Sequence, residues 1–486
     1  MKRFILTGLF SFMVGAAAIA QNPTETLRYS QQRPGGTARA LGVGGAFGAI
    51  GADYTAVGIN PGGLGLYRRS DLSLSFGVQS TSANTNLFGS SADAHQVRAF
   101  LPNASIVLSR LRRKSSNWKA FNFGFGFNRL ANYNANSVFV NKQSSNSLLN
   151  QYRDELTASG LTEDQISFDN LSPGAVLGYY NFLLNPVGTG GTQYSAITDG
   201  YNVNQQISLT RRGGLDEMSF AFGTNYNDRL YIGMLVGVPF LTYREKLNVR
   251  ESDEANVIPS FSNYSFSQNL TTDGIGVNAK FGLVVRAANW VRFGASFHTP
   301  TRYSITEKYN TVSTSNVDAV QYSNTSPDGK FDYQLSTPWR AIGSAAFIIK
   351  KYGFLSADYE YTNYNRARYN FSGFKSAESA LNQDVKDYLK AIHTVRVGGE
   401  AAIKNFRLRA GYALSTSPIE KNRVVAGRDL TSSTYSGGVG FRGKKWYVDL
   451  AYFRSVSEGT AVISSDITAA EKLKSDNVVV TVGLNF

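Results

Sequence analysis

The chain of 486 residues contains no cysteine, three histidines, four tryptophans, four methionines and only 17% charged residues. The lack of cysteine excludes a disulfide framework, a thiolate metal site and a cysteine nucleophile. His95, His298 and His393 stand far apart, and HExxH, GxSxG and paired-carboxylate signatures are missing, so an enzyme is not expected. No cofactor is implied. Beyond the first twenty residues no apolar run approaches the roughly 18 residues of a spanning helix, which excludes a helical inner-membrane protein.

Glycine (47), tyrosine (27) and phenylalanine (31) are abundant instead. Low charge with many aromatics suits an all-β sheet with one apolar face in lipid and aromatic belts at the water boundaries. Lys2 and Arg3 precede an apolar stretch from Phe4 to Ile19 that ends Ala18-Ile19-Ala20 before Gln21. This is a signal peptide over 1–20, too short for a membrane anchor. Its removal lowers the net charge from +14 to +12. The remaining basic excess suits contact with outer-membrane lipid and lipopolysaccharide phosphates. Nucleic acid is not an expected partner of an exported chain without a concentrated basic patch.

From Asp71 onward the pattern has period two. Val478, Val480, Val482, Leu484 and Phe486 alternate with Thr481, Gly483 and Asn485; Ile275, Val277, Ala279, Phe281, Leu283 and Val285 alternate with Gly276, Asn278, Lys280, Gly282 and Arg286. Strand side chains alternate faces, so each segment has an apolar face and a small-or-polar one. Fourteen such segments are legible: 71–80, 97–109, 118–135, 205–227, 229–248, 265–286, 290–309, 330–349, 352–371, 392–403, 405–415, 432–442, 446–456 and 476–486. Segment 205–227 reads as one strand with a kink at Gly213-Gly214, because closure needs an even number.

Connections alternate in length. Short ones lie at Asn227-Asp228, Ala287-Asn289, Lys350-Lys351, Lys404-Asn405 and Gly443-Lys445; long ones at 81–95, 136–204, 249–264, 310–329, 373–390, 416–431 and 457–475. A soluble sandwich has no reason to alternate this way. A transmembrane antiparallel β-barrel does, with tight periplasmic turns and long extracellular loops. The barrel thus occupies 71–486 of a cell outer membrane. Trp118, Trp290 and Trp446 begin strands beside basic turns, as an interfacial belt requires. The terminal Phe486 resembles the signal read by the barrel-assembly machinery, an expected partner during biogenesis.

Residues 21–70 differ. The run 35–66 is rich in Gly and Ala and lacks strand alternation. Small residues allow close backbone packing, as a plug inside a barrel needs. Gly42-Val43-Gly44-Gly45 is not a phosphate loop, because neither a strand-turn-helix context nor a following Lys-Ser/Thr is present. Ala38, Arg39, Ala40, Gly42, Gly44, Gly45, Ala46 and Phe47, then Asn60, Pro61, Gly63 and Leu64, resemble the N-terminal hatch of the FadL/TodX outer-membrane transport family. Gly62 stands where that family usually has Ala, and Asp53-Tyr54 replaces its frequent Asp-Asp pair.

The resemblance implies a fourteen-stranded barrel plugged by a hatch, with Gly44, Gly45, Phe47, Asn60, Pro61 and Gly62 as hatch and gate residues. It implies passive uptake of a hydrophobic small molecule, such as a long-chain fatty acid or an aromatic hydrocarbon. The ligand would land on an extracellular groove and leave sideways through a kink in the third strand beside Asn60-Pro61-Gly62. On that strand Gly124, Gly126 and Asn128 are the kink candidates.

In loop 136–204, Leu148, Leu149, Tyr152 and Leu156 share one helical side, and Thr162-Glu163-Asp164-Gln165 reads as a capped helix start. Leu177, Tyr180, Phe182 and Leu183 follow in an apolar stretch. So much apolar surface either packs on itself or forms a ligand groove. Arg286, Arg292, Arg407 and Arg409, on polar strand faces, are candidates for holding a carboxylate head group, against the alternative of a salt-bridged wall. Two rival roles remain: a plugged barrel serving as a binding or scaffold component of protein secretion, and a haem-binding receptor.

Overall fold

The computed structural model describes residues 23–32, 35–113, 115–421, 431–462 and 468–486. The expected signal peptide lies outside the described residues. From Asp71 the chain forms fourteen antiparallel strands: β1 (Asp71–Leu87), β2 (Ser90–Leu111), β3 (Trp118–Asn132 and Ala135–Ser144), β4 (Val203–Tyr226), β5 (Leu230–Ser252), β6 (Phe261–Ala288), β7 (Val291–His298 and Arg302–Val317), β8 (Val320–Thr325, Gly329–Ser336 and Arg340–Ile349), β9 (Gly353–Asn363 and Arg368–Phe371), β10 (Ala391–Ile403), β11 (Phe406–Ser415), β12 (Ser432–Arg442), β13 (Trp446–Val462) and β14 (Thr468–Asn485). Each pairs with its sequence neighbours, and β14 closes on β1 from Asp71↔Asn485 to Asn86↔Ala470.

The alternation has the expected sense. On β1 and β14, Leu72, Leu74, Phe76, Val78, Val478, Val480, Val482 and Leu484 point outward and are exposed, while Ser73, Ser75 and Thr481 are buried in the lumen. Equivalent outward rows continue around the wall: Phe123 and Phe125 on β3, Ile232, Met234 and Val236 on β5, and Val395 and Val397 on β10. Trp118, Trp290 and Trp446 are exposed at the end with the short turns. Gly213 bends β4 without ending it, as its positive φ of 115° permits.

Several boundaries differ from expectation, among them 457–475, into which β13 and β14 continue as a ladder up to Val462↔Thr468, and 249–264, into which β5 runs to Ser252 and from which β6 starts at Phe261. The segments 81–95 and 310–329 are not loops: β1 and β2 meet in a tight turn at Phe88-Gly89, and β7 and β8 at Asp318-Ala319, with all four residues at positive φ. Their Ser, Thr and Asn residues continue the ladder without the apolar row that marks the lower barrel. β7 and β8 are interrupted at Pro300 and Pro338, which have no N–H to give the ladder. Loop 373–390 holds a helix, Lys375–Tyr388, that buries Leu381 and Val385.

The hatch fills the lumen as short pieces: α1 (Pro23–Ser30), α2 (Ala38–Gly42), α3 (Tyr54–Ile59) and a 3-10 turn (Pro61–Leu66). Thr37 caps α2, Asp53 caps α3 and Asn60 caps the 3-10 turn, each accepting a backbone N–H. Inside 136–204 lie α4 (Leu148–Ser159) and α5 (Pro173–Tyr180). The expected helix start at Thr162 is a single 3-10 turn, Glu163–Gln165, closed by its own capping box.

Candidate functional site

The hatch seats on the wall through backbone contact. The Asn60 Nδ2 donates to the carbonyls of Gly48 (2.8 Å) and Leu283 (3.0 Å), and its Oδ1 accepts from Gly62 N–H (3.0 Å). Pro61 and Gly62 lie against a glycine floor. A Cβ on Gly233 would meet the Pro61 carbonyl oxygen at 2.1 Å, one on Gly282 the Asn60 Oδ1 at 2.0 Å, and one on Gly62 the Leu283 backbone at 2.8 Å. On β9, Asp358 accepts from the N–H groups of Phe47 (3.0 Å) and Gly48 (3.1 Å), and the Phe47 ring meets Phe354 edge-on at 5.8 Å. Gly44, at φ 69°, lets the hatch backbone approach Tyr412 on β11, and Gly45 follows at φ 75°.

The Asn60-Pro61-Gly62 motif therefore rests on β5 to β7, which corrects the expectation that it adjoins the third strand. Asn60→Ala removes three hydrogen bonds, two of them fully buried, worth about 1 kcal/mol each. We expect a loss of about 2–3 kcal/mol of unfolding free energy, read by urea titration in detergent.

The third strand breaks higher than expected. Gly124 and Gly126 lie within its straight lower half, where they make room for the Tyr54 ring; a Cβ at either would stand within 2.8 Å of it. The Tyr54 hydroxyl donates to the Ser219 carbonyl on β4 (3.0 Å). The break falls at Tyr133-Asn134, after a register shift between Arg129 and Ala131. Asn128 marks the parting: the β2–β3 ladder runs from Leu111↔Ala120 and ends at Asn103↔Asn128. There the buried Asn103 Nδ2 donates to the Asn128 Oδ1 (2.8 Å).

Above this clasp, residues 90–100 of β2 keep β1 as their ladder partner, while the upper half of β3 pairs with β4. The upper half also leans into the lumen, where the Thr81 hydroxyl of β1 donates to the Asn134 carbonyl (3.2 Å). Gly213 complements the break by receiving the Tyr133 N–H on its carbonyl (3.0 Å). The wall is thus unzipped between β2 and β3.

Behind the unzipped stretch is a cavity of about 350 Å³. Leu41, Phe100, Pro102, Phe453 and Leu473 give it an apolar side; Gln31, Gln79, Asn132, Ser455 and Asn477 a polar one. Its cations are held: Arg129 grips Asp216 at 2.5 and 2.9 Å, Arg211 pairs with Glu471, and the Arg28 guanidinium stacks 4.1 Å from the Tyr243 ring. Arg28 on α1 and Gln31 just beyond its end are not marked by the chain alone, since polar residues in and beside a short helix carry no periodic signal.

The four candidate head-group arginines lie elsewhere. Arg286 and Arg292 are ladder partners near the short-turn end, and Arg292 donates to the Ile50 carbonyl (3.1 Å). Arg407 stands 3.8 Å from Glu400. Arg409 is fully buried in an ion-pair network with Glu400 (2.7 Å) and Asp449 (2.8 Å), a salt-bridged wall.

The groove candidates are also redistributed. Leu148, Leu149, Tyr152, Leu156, Leu177 and Leu183 are buried in one core with Phe139, Phe261 and Phe266, which caps the mouth opposite the short turns. Only Tyr180 and Phe182 of that set are exposed. Buried Glu251 anchors the cap by accepting from Leu148 N–H (2.9 Å) and Gln205 (2.7 Å) at the start of α4. Burial pushes its carboxyl above the ordinary range. His298 is buried under the hatch against the Ile59 carbonyl, while His95 and His393 are exposed on β2 and β10. Among the described residues, no group of three or more acidic or histidine side chains is arranged to hold a metal.

No family model matches the sequence, and no curated sequence matches it. Among solved structures the chain is similar to a FadL homologue of Pseudomonas aeruginosa, at 14% identity over 94% of this chain and 100% of that one, with a TM-score of 0.56. It is similar also to the toluene transporter TodX of Pseudomonas putida, at 13% identity over 93% and 99%, with a TM-score of 0.53. The likeness establishes the fold: a closed fourteen-stranded barrel of FadL type.

Proposed function

We propose that this chain is an outer-membrane channel for passive uptake of hydrophobic small molecules, long-chain fatty acids or aromatic hydrocarbons among them. The observation that carries the reading is the parting of β2 from β3 above Asn103↔Asn128, with the 350 Å³ cavity directly behind it. A ligand in that cavity has a path sideways into the bilayer that never crosses the hatch. The outward apolar rows and the belt of Trp118, Trp290 and Trp446 support placement in a membrane. The solved barrels of the same fold, described as a FadL homologue and a toluene transporter, support the substrate class.

The driving force is the ligand's own gradient and its preference for apolar surroundings over water. Entry begins on the cap, where Tyr180 and Phe182 offer an apolar landing surface. Exit is at the clasp of Asn103 and Asn128, so Gly124 and Gly126 serve the seating of Tyr54 rather than the opening.

The test is uptake of labelled oleate and of an alkylbenzene by a deletion strain carrying the gene or an empty vector. Ser455→Trp fills the cavity from β13 and leaves every hatch residue unchanged. It is expected to lower uptake by at least about tenfold while the barrel keeps its heat-modifiable migration, since a filled cavity admits no ligand. Equal uptake of both probes with and without the protein would sink the reading. Unchanged uptake together with co-purifying partner proteins would favour the secretion scaffold.

A further inference from the structure

A second cavity of about 290 Å³ lies at the short-turn end, between the hatch and the strands β7 to β11. Its wall carries five cations: Arg39 from α2, Arg292 from β7, Lys350 and Lys351 from the β8–β9 turn, and Arg407 from β11. Glu400 is the one carboxylate among the described lining residues. It is shared among three guanidiniums, Arg409 at 2.7 Å, Arg39 at 3.3 Å and Arg407 at 3.8 Å. Arg292 has no ion-pair partner among the described residues, and its buried Nε lacks a hydrogen bond.

Lipid contact does not explain these charges. Arg292 alternates with the outward-facing Phe293, and Arg407 with the outward-facing Phe406 and Leu408, so both point to the lumen. Arg292 also lies directly across the ladder from Arg286, a like-charged pair that is unfavourable without a counter-ion. A concave site lined by one sign of charge concentrates ions of the other sign. Guanidinium groups match the two oxygens of a carboxylate or phosphate.

We propose that this vestibule binds a small phosphate- or carboxylate-bearing anion. Bound there, the anion bridges Arg39 of the hatch to Arg292, Arg407 and the lysine turn of the wall, and so holds the hatch in its seat. Placing the site on the periplasmic face rests on the outer-membrane reading; the binding does not.

The test is isothermal titration of the full-length protein in uncharged detergent with inorganic phosphate and, separately, succinate at low salt. Wild type is expected to bind, with affinity falling as salt rises. Arg292→Gln/Arg407→Gln is expected to weaken binding at least about tenfold, equivalent to 1.4 kcal/mol. Lys350→Gln/Lys351→Gln, which leaves the hatch contacts alone, should weaken it as well. Lys444→Gln, outside the cavity, should not. In nanodiscs, competition of phosphate by phosphatidylglycerol would identify a lipid head group as the source, and lack of competition a soluble anion. No binding to wild type, or equal binding to wild type and both double variants, would overturn the proposal. Anion binding by a protein that fails the oleate and alkylbenzene assays would remove the channel reading alone.

Discussion

Gly282→Val is expected to unseat the hatch and open a conducting pore. The new side chain starts from a Cβ that would lie 2.0 Å from the Asn60 Oδ1, 2.8 Å from the Pro61 Cδ and 2.9 Å from the Pro61 nitrogen. Proline has no rotamer with which to retreat, and Asn60 is fixed by three hydrogen bonds. One side must move. Gly282 is held by the ladder on both flanks, to Gly233 on β5 and Ser296 on β7. Valine suits a strand, so the wall is not weakened by the change itself. The hatch meets the wall here through a few side-chain and carbonyl contacts, so it yields first. A fourteen-stranded barrel without its plug is close to the width of water-filled porins, and single-channel conductance should rise at least about tenfold. Planar-bilayer recording checks this, with heat-modifiable migration confirming that the barrel has formed. A folded variant with unchanged conductance would show that the floor tolerates the side chain.

Asp449→Ala is expected to be the most destabilising single change in the wall. Asp449 is fully buried on β13 and accepts from Arg409 (2.8 Å) and Arg442 (2.9 Å). The Arg409 side chain is itself buried, and its Nη2 already lacks a partner. Removing the carboxylate leaves one cation shared only with Glu400 and another with no close acid. Breaking a buried ion pair from one side costs about 3–5 kcal/mol. Replacing both partners, as in Arg409→Leu/Asp449→Leu, should recover much of the loss, because the buried Arg409 charge leaves with its partner and only the partly exposed Arg442 is left without an acid. Urea unfolding in detergent, followed by tryptophan fluorescence, measures both variants. A loss below about 1 kcal/mol for Asp449→Ala would mean that water or Glu400 replaces the lost partner.

The legible parts of the fold are those with local causes. Val478 to Leu484 alternate because one face meets an apolar surrounding and the other the lumen, and that rule needs only neighbours two apart. The short turns were readable for the same reason. The strand extensions above the wall were not, because Ser, Thr and Asn continue a ladder in water without an apolar row. Thr81 and Thr85 look like loop residues until β2 pairs with them.

The candidate site was legible as residue types but not as an arrangement. Leu148, Leu149, Tyr152 and Leu156 were readable as a helix face, yet whether that face met a ligand or a core depended on Phe139 of β3 and on Phe261 and Phe266 of β6, which come from two other stretches of chain. The arginines were readable as lumen-facing. Their height was not, because it depends on the stagger of every strand, and only the assembled wall separates Arg409 in its ion-pair network from Arg292 in the lower vestibule.

By itself the sequence determines a closed barrel of alternating strands with a small-residue segment before it, since alternation, turn length and glycine content act through covalent neighbours and bulk solvent. The tertiary structure alone decides where the wall opens. The parting at Asn103↔Asn128 follows from Thr81 and Gly213 drawing the upper half of β3 inward, and these groups lie about fifty and eighty residues from the Asn134 and Tyr133 they bind. Hydrogen bonds between such distant groups exist only once the barrel has closed, so no period in the chain records them.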